Sequence, residues 1–423
     1  MKAMQNRERE IAGQHQGAAM KKGFPTKPLQ SLCDDFKQDI VDGPFGSELK
    51  REDYITEGIP VLKIQNVKPF AIELKKMDYV SVEKFHELRR HSFRRGDIVM
   101  TKLGSPLGVS AIVEDVEEGV IVADLVRVRA QQINTKYLCY HLNSQRTNDF
   151  INSMQKGTTR PRVTLSVVRE LPIYSPPLTE QQRIVGLLDE AFEGLVTAKA
   201  NAEKNLQNAR ALFESHLQSV FAQCGPGWVE STIGAEIKFI DYRGKTPLKT
   251  TSGVRLITAK NVKMGFLQEM PMEFIAAASY TGWMTRGIPQ KGDVLFTTEA
   301  PLANVAQLDT DEKVAFAQRI IIMQPNALRL DSTFLKYLLL SQPVQQRIRT
   351  KGTGATVQGI KASLLKLIEI SFPKSLTAQE QIVRKLDDLR EETQRLARLY
   401  ERKIAALEAL KKSLLHQAFS GEL

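Results

Sequence analysis

The sequence predicts a mixed α/β fold built twice: two duplicated globular domains, each followed by a long helix, the two helices paired as an intramolecular antiparallel coiled coil. Three observations predict it. Matching segments recur in the same order at a nearly constant separation. Each copy runs through the same succession of β-rich segments and helix. A heptad seam of roughly 40 residues follows each copy.

The repeat is legible segment by segment. Gly58-Ile59-Pro60-Val61-Leu62-Lys63-Ile64-Gln65-Asn66-Val67 matches Gly253-Val254-Arg255-Leu256-Ile257-Thr258-Ala259-Lys260-Asn261-Val262 at an offset of 195. Gly96-Asp97-Ile98 matches Gly292-Asp293-Val294 at 196, Gly157-Thr158-Thr159 matches Gly354-Ala355-Thr356 at 197, and Leu178-Thr179 matches Leu376-Thr377 at 198. So long a period excludes a solenoid and marks a duplicated domain plus helix. The expected boundaries are an N-terminal extension over 1–23, expected to be disordered, a first domain over 24–178 and a first helix over 179–222. A second domain over 223–376 and a second helix over 377–423 complete the chain.

Within each copy a glycine opens a β-rich run, and Gly-Asp opens a second strand as a turn. Further strands are expected in SAIVED and GVIVADLVRVRA, and in NVAQLD and EKVAFAQRIIIMQP. One helix follows in each copy, Tyr137 to Met154 and Phe334 to Arg349, the latter with a kink at Pro343. Pro176-Pro177 and Pro373 then close the globular blocks.

After the prolines, apolar residues alternate at three-four spacing. The pairing positions are Val185, Leu188, Phe192, Leu195, Leu206 and Phe213 in the first helix, and Leu386, Leu389, Leu396, Tyr400, Leu407, Leu410 and Leu414 in the second. Lys199, His216 and Lys403 interrupt the seam as rim or register residues. Each helix spans about 60 Å at 1.5 Å per residue. Homodimerisation would also bury such a seam, but two seams on one chain meet at high effective concentration.

Composition narrows the function. With 42% hydrophobic residues the chain can build real cores. No run approaches the ~20 apolar residues of a membrane span, and the first residues are polar and charged, so a soluble, intracellular protein is expected. Cys33, Cys139 and Cys224 are far apart, which points to neither disulfides nor zinc; each is read as a small buried hydrophobe. The formal charge is +11, with +2 over residues 24–178 and +7 over 223–376, a balance compatible with nucleic acid. There is no phosphate-binding G-x-x-x-x-G-K-[ST] segment. The run Gly352 to Gly359 spaces its glycines wrongly for a dinucleotide fingerprint and follows a helix. The six histidines form no metal-ligand pattern. A nuclease-like pairing of Asp97 with Lys102 has no counterpart in the second copy, where Glu299 follows Asp293. No catalytic or metal site is therefore expected.

What recurs is a set of loops rich in Gly, Thr, Lys and Arg. The candidate DNA-contacting residues are Ser47, Lys50, Arg51, Thr158, Thr159, Arg160 and Arg162 in the first copy. In the second they are Arg243, Lys245, Thr246, Lys351, Thr353, Thr356, Gln358 and Lys361. Small residues allow close backbone approach, hydroxyls and amides bond phosphates or base edges, and Arg and Lys supply charge.

The chain resembles the specificity subunits of Type I restriction–modification enzymes over roughly residues 24–423. The resemblance is carried by Gly43-Pro44-Phe45-Gly46-Ser47, Gly58-Ile59-Pro60-Val61-Leu62, Gly96-Asp97-Ile98, Gly157-Thr158-Thr159 and Pro176 to Val185, with the close Leu415 to Leu423. In the second copy Gln379-Glu380-Gln381 stands for Glu-Gln-Gln. The resemblance implies two target-recognition domains, each reading one half of a bipartite, asymmetric double-stranded DNA site. It implies helices that set the spacing and dock two methyltransferase subunits, with restriction–translocase subunits added for cleavage, in a prokaryotic cytoplasm. S-adenosylmethionine and ATP would belong to those partners, and this chain would bind no cofactor and catalyse nothing itself. A rod of about 60 Å spans less than two turns of B-DNA, at roughly 34–36 Å each, so two half-sites on one duplex are within reach. Two other classes compete: a self-contained restriction or modification enzyme, and a coiled-coil scaffold for proteins.

Overall fold

A computed structural model describes residues 25–157, 160–242, 246–354, 358–420 and 422. The expected N-terminal extension, 1–23, lies outside the described residues. The chain divides into two units, Met1–Asn201 with Lys403–Leu423, and Ala202–Arg402. Each unit therefore contains one globular domain, the N-terminal part of the long helix that follows it and the C-terminal part of the other long helix.

In the first unit, one four-stranded sheet is ordered Asp78–Val80, Ile59–Leu62, Glu118–Ile121, Ser92–Arg94, its central pair parallel. A second, antiparallel sheet runs Ile40–Asp42, Leu125–Val128, Ile98–Thr101, Ser110–Ile112. The expected GVIVADLVRVRA segment is thus two strands in two different sheets. The second unit repeats the antiparallel sheet as Ile237–Asp241, Ile320–Pro325, Val294–Thr297, Val305–Gln307. Its other sheet keeps the parallel pair, Val254–Ile257 with Val314–Phe316, and adds an edge strand at Lys249–Thr250.

The matching motifs are devices of this scaffold. Gly58 and Gly253 lie at φ +151° and +132°, and a Cβ there would stand 2.5 Å from Val80 O or 2.1 Å from Ile275 O. The buried Asn66 accepts from Lys63 N (3.0 Å) and donates to Glu73 O (2.9 Å), and Asn261 repeats the staple with Thr258 N (3.0 Å) and Gln268 O (3.0 Å). Gly-Asp is a turn, as expected: Arg94 N donates to Asp97 (2.9 Å) and Gln290 N to Asp293 (2.8 Å). Asp97 also takes the Arg129 guanidinium (2.7 and 2.6 Å), and Asp293 takes Gln324 Nε2 (2.8 Å), each tying the turn to the neighbouring strand.

The expected single helices are each two. Thr135–Leu142 and Gln145–Met154 break at Asn143-Ser144, where the Ser144 hydroxyl caps the second helix by accepting from Thr147 N (3.4 Å). Ser332–Leu340 and Gln342–Lys351 break at Ser341, so Pro343 begins a helix, where its missing N–H costs nothing, instead of kinking one. Cys33 and Cys139 are buried, but Cys224 is exposed in the Gly/Pro turn after the first long helix.

Both long helices are 45 residues, Leu178–Ala222 and Leu376–Ser420. They run antiparallel within each unit. In the first, Lys411 lies 4.7 Å from the Phe192 ring and Lys199 pairs with Glu408 at 2.7 Å, placing Lys199 on the rim. In the second, Arg210 pairs with Glu401 at 2.7 Å while Leu217 and Phe221 share a core with Leu386. Leu188, Phe192 and Leu386 are buried, and Val185, Leu195, Phe213 and Leu414 pack against the cores. Leu206, Leu389, Leu396, Tyr400 and Leu407 are half-buried. Leu410, placed on the seam by its spacing, is instead 47% exposed, because Leu407, Lys411 and Leu414 present the inward face there.

Each helix head is locked to its own domain. Gln181 accepts from Asn134 N (2.8 Å) and donates to Pro176 O (2.8 Å). Gln379 accepts from Asp331 N (2.8 Å) and donates to Pro373 O (2.7 Å) and Arg329 O (2.8 Å). Gln181 therefore corresponds to Gln379 at the offset of 198, and the second copy departs on either side of it, with Ala378 for Glu180 and Glu380 for Gln182. A second lock follows two turns on: Tyr140 donates to Asp189 (2.5 Å) and Tyr337 to Asp387. Burial, reinforced by the carboxylate, pushes both phenols up, so each stays a donor.

Helix ends complete the cores. Phe419 packs edge-on against Tyr137 at 5.3 Å and against His141 at 4.8 Å. Phe221 does the same to Phe334 at 5.4 Å. His141 is fully buried; its Nε2 accepts from Tyr174 N (3.1 Å) and its Nδ1 faces Thr147 Oγ1 (3.1 Å), which fits a neutral ring.

Two outcomes follow. Gln181→Ala or Gln379→Ala leaves a part-buried N–H and a buried carbonyl without these partners, and urea denaturation should show a loss of about 2 kcal/mol in each variant. Burial holds His141 down at about 3, from an ordinary 6.5. Below 6.5 the unfolded chain takes a proton that the folded one refuses, so stability is full above 6.5 and lost as pH falls toward 3. Between pH 7 and 5 this group should contribute a loss of about 2 kcal/mol, absent from His141→Gln; identical pH profiles for the two chains would count against it.

Candidate nucleic-acid interface

At one end of each antiparallel sheet the strand-end loops are tied into one cluster. In the first unit Lys102 N donates to Asp124 O (2.9 Å), Val163 N to Lys102 O (2.9 Å) and Gly104 N to Pro161 O (3.0 Å). In the second, Thr298 N donates to Arg319 O (2.9 Å) and Ile360 N to Thr298 O (2.9 Å). The Gly/Thr loop is a backbone-paired hairpin in both. Lys156 and Arg162 exchange bonds of 2.9 and 3.0 Å, and Thr353 and Gly359 exchange bonds of 2.8 and 2.9 Å. The sequence match at Gly157 and Gly354, φ +87° and +118°, thus marks a tight hairpin base.

On this common frame the charges differ. In the first unit Lys102 Nζ is 2.5 Å from Asp42, and Arg160 reaches Asp124 at 3.4 Å. In the second, the position of Asp124 is taken by Arg319, which pairs with Glu299 at 2.9 Å. One site thus carries an acid and its counterpart a cation. Arg319, Ala300 and Ala303 hold positive φ (79°, 45° and 65°) without being glycine, a concentration of backbone strain in the second cluster.

The candidate residues distribute unevenly. Arg160 and Arg162 are exposed and belong to the first cluster. Ser47 is exposed in a turn whose first residue, Phe45, is 70% exposed. Lys50 and Arg51 are exposed too, but the Leu49 beside them packs with Val61, Val80 and Phe85, so they belong to the other sheet. Lys50 pairs with Glu52 at 3.5 Å. In the second unit Thr353 and Gln358 are exposed on the hairpin, and Gln358 lines a cleft of about 280 Å³ with Ala300, Pro301, Leu302 and Arg349. Lys351 is turned away from that cleft: its ammonium donates to Leu367 O (3.1 Å) at the end of a short helix. Lys361 is exposed at the head of that helix, Ala362–Lys366, and Thr246 is exposed. Thr158, Thr159, Arg243, Lys245 and Thr356 lie outside the described residues.

Sequence reading missed Lys102, Asp42, Asp124, Glu299, Arg319 and Arg349. Their signal is visible only in retrospect: charged residues at strand ends beside a hairpin that is common to both copies. Asp97 and Lys102 do not form a nuclease-like pair. They flank the strand Ile98–Thr101, and each has its own partner, Arg129 and Asp42. Among the described residues, no group of three or more His, Cys, Asp or Glu is placed to hold a metal ion, and no helix is long and apolar enough to cross a membrane.

The sequence profile of the Type I restriction modification DNA specificity domain matches residues 96–206 and 257–404, one stretch in each half of the chain. Over 394 residues the chain is 23% identical to a sequence provisionally named the MjaX specificity subunit of a type I restriction enzyme from Methanocaldococcus jannaschii, covering 86% of this chain and 87% of that one. It is 22% identical over 334 residues to the type I restriction enzyme MjaVIII specificity subunit of the same organism, covering 73% and 75%. Among solved structures, a chain from a type I R-M system studied for complex assembly and conformational transition is similar with a TM-score of 0.74 and 20% identity, over 96% of this chain and 100% of that one. The HsdS subunit from Thermoanaerobacter tengcongensis follows at 0.64 and 19%, over 96% and 99%.

Proposed function

The chain belongs to the Type I restriction modification DNA specificity family, and from that premise we propose that it reads a bipartite, asymmetric site on double-stranded DNA, one half with each loop cluster. One observation carries this reading: the same hairpin-and-strand-end frame occurs twice, with opposite charge at the position of Asp124 and Arg319. Identical readers would demand identical half-sites; readers with reversed polarity demand different ones. Exposed cations such as Arg160, Arg162 and Arg349 supply phosphate attraction, and the polar groups beside them supply base readout. The second domain, at +7 against +2, carries more of the phosphate attraction.

The long helices act as the ruler and as the docking surface for two methyltransferase subunits, to which restriction–translocase subunits are added. This chain contributes recognition and no catalytic centre. S-adenosylmethionine and ATP serve the partner subunits. The ion pairs that hold Asp97 and Lys102 apart favour that division of labour over a self-contained nuclease.

Two experiments test the reading. In the assembled complex, Arg160→Ala with Arg162→Ala should weaken binding to cognate duplex and flatten the slope of log K against log salt, by up to about 1.8 if both contact phosphate. Unchanged affinity and slope would remove the first cluster from the interface. Deleting one heptad from each long helix shortens each by about 10 Å, roughly three base pairs of rise. Methylation mapping should then show a spacer shorter by about that amount, or no assembly; an unaltered spacer contradicts the ruler.

A further inference from the structure

The two units part company where a hairpin meets the helix pair. In the first, Phe70 stands at the tip of the hairpin formed by Val67–Lys68 and Ala71–Ile72, at φ +68°, its N–H donating to Ser110 O at 3.0 Å. Its ring lies 5.4 Å from Tyr140 and 5.9 Å from Phe192, with the Lys411 ammonium 4.8 Å from its centre. The second unit builds the same hairpin, Val262–Lys263 with Phe266–Leu267, and puts Gly265 at the tip, at φ +90°, its N–H donating to Val305 O at 2.7 Å. The ring is gone, but its surroundings are not. Tyr337 stands for Tyr140, and Phe213 and Arg390 supply the aromatic and the cation. Beside Phe213 and Arg390 lies a cleft of about 310 Å³, and Tyr337 backs Phe213 at 6.1 Å without lining it. Its wall mixes Leu217, Met264, Phe266 and Leu340 with the polar Arg210, Glu214, Thr393 and Gln394, and Phe266 and Met264 are 53% and 45% exposed.

We propose that this cleft is a docking socket for an aromatic side chain of a methyltransferase subunit, which enters where Phe70 closes the first unit from within. The inference rests on the partner reading given above. The occupant's chemistry comes from the repeat: in the first unit the rings of Tyr140 and Phe192 and the Lys411 ammonium surround a phenyl group, and in the second Phe213 and Arg390 line the cleft. The volume is at the lower end of what ligand pockets offer, and Met264 in its wall adapts to a partner's shape. An aromatic group seated between Phe213 and Arg390 is the kind of anchor that dominates an interface. It follows that the two methyltransferase docking sites are unequal, since only one uses an anchor of this kind.

The test fills the socket from inside. Gly265→Phe copies the residue and the backbone conformation that Phe70 already adopts; its Cβ would sit 3.3 Å from Arg390 Nη2, which donates to Gly265 O at 2.8 Å and would shift by a few tenths of an ångström. Met264→Glu alters only the exposed rim and serves as a second variant with little risk to folding. The full-length chain is titrated with methyltransferase subunit and read by native mass spectrometry and sedimentation. The wild-type chain should take two subunits. Both variants should keep one with unchanged affinity and bind the other about 30-fold more weakly. Variants that bind both subunits as the wild type does would sink the socket and leave the specificity-subunit reading intact. A wild-type chain that binds no methyltransferase subunit would sink both. Self-association of the isolated chain that Gly265→Phe abolishes would assign the socket to a second copy and overturn the proposal.

Discussion

The glutamine at the head of each long helix constrains the rest of the unit around it. Gln181 joins the first N–H of a domain helix to the carbonyl of the proline that ends the globular block, and Gln379 does the same in the second unit. The carbonyl is buried and the N–H part-buried, and a buried N–H or C=O left unpaired costs about 1–3 kcal/mol. Only a side chain with one acceptor and one donor at this reach satisfies both. Asparagine is a methylene short, and glutamate has no donor when ionised. The tyrosine–aspartate bond two turns on then removes the remaining freedom of the helix to pivot. Each domain is therefore tied at two points to the long helix that leaves it.

Much of the fold was legible in the sequence because the repeat exposes backbone necessities. Gly58 and Gly253 are glycine because a neighbouring carbonyl occupies the space of a Cβ. Asn66 and Asn261 persist because one amide staples a whole turn. These are requirements of the scaffold, and they survive when the copies diverge. Boundaries set by weaker signals were misread. The helix breaks at Ser144 and Ser341 lie inside continuous helical periodicity, and the sheet change at Val122–Asp124 lies inside one strand-like segment, GVIVADLVRVRA. Leu410 shows the limit of counting heptads, since a shift of one position moves a residue from seam to rim.

The candidate interface was less legible for the opposite reason. What a reader of DNA needs at a given position depends on the base it meets, so its residues carry no internal pattern. The hairpins could be found because Gly157 and Gly354 hold their base. Lys102, Asp124, Glu299 and Arg319 could not, because each is an ordinary charged residue until the strands bring it beside its partner. The contact of Lys351 is equally silent in the sequence: its exposed ammonium donates to Leu367 O at the end of a short helix.

The pairing of the long helices shows how divergence between copies itself becomes specific. Phe192 and Phe213 both lie on the first helix; the cations in the corresponding places, Lys411 and Arg390, both lie on the second. A strict duplication would have made the helices interchangeable. As they stand, the first unit sets the Lys411 ammonium over the Phe192 ring, a contact that favours the charge over the ring face, and in the second Phe213 and Arg390 line one cleft. Were two copies of the second helix to pair antiparallel in the same register, Arg390 would meet Lys411, two cations in a partly desolvated seam. Two first helices would set ring against ring and lose both cations. The wrong pairings are thus disfavoured by charge as well as by the lower effective concentration of a second chain. The heptad seam makes the helices adhesive, and the asymmetric placement of ring and cation makes them adhere to each other.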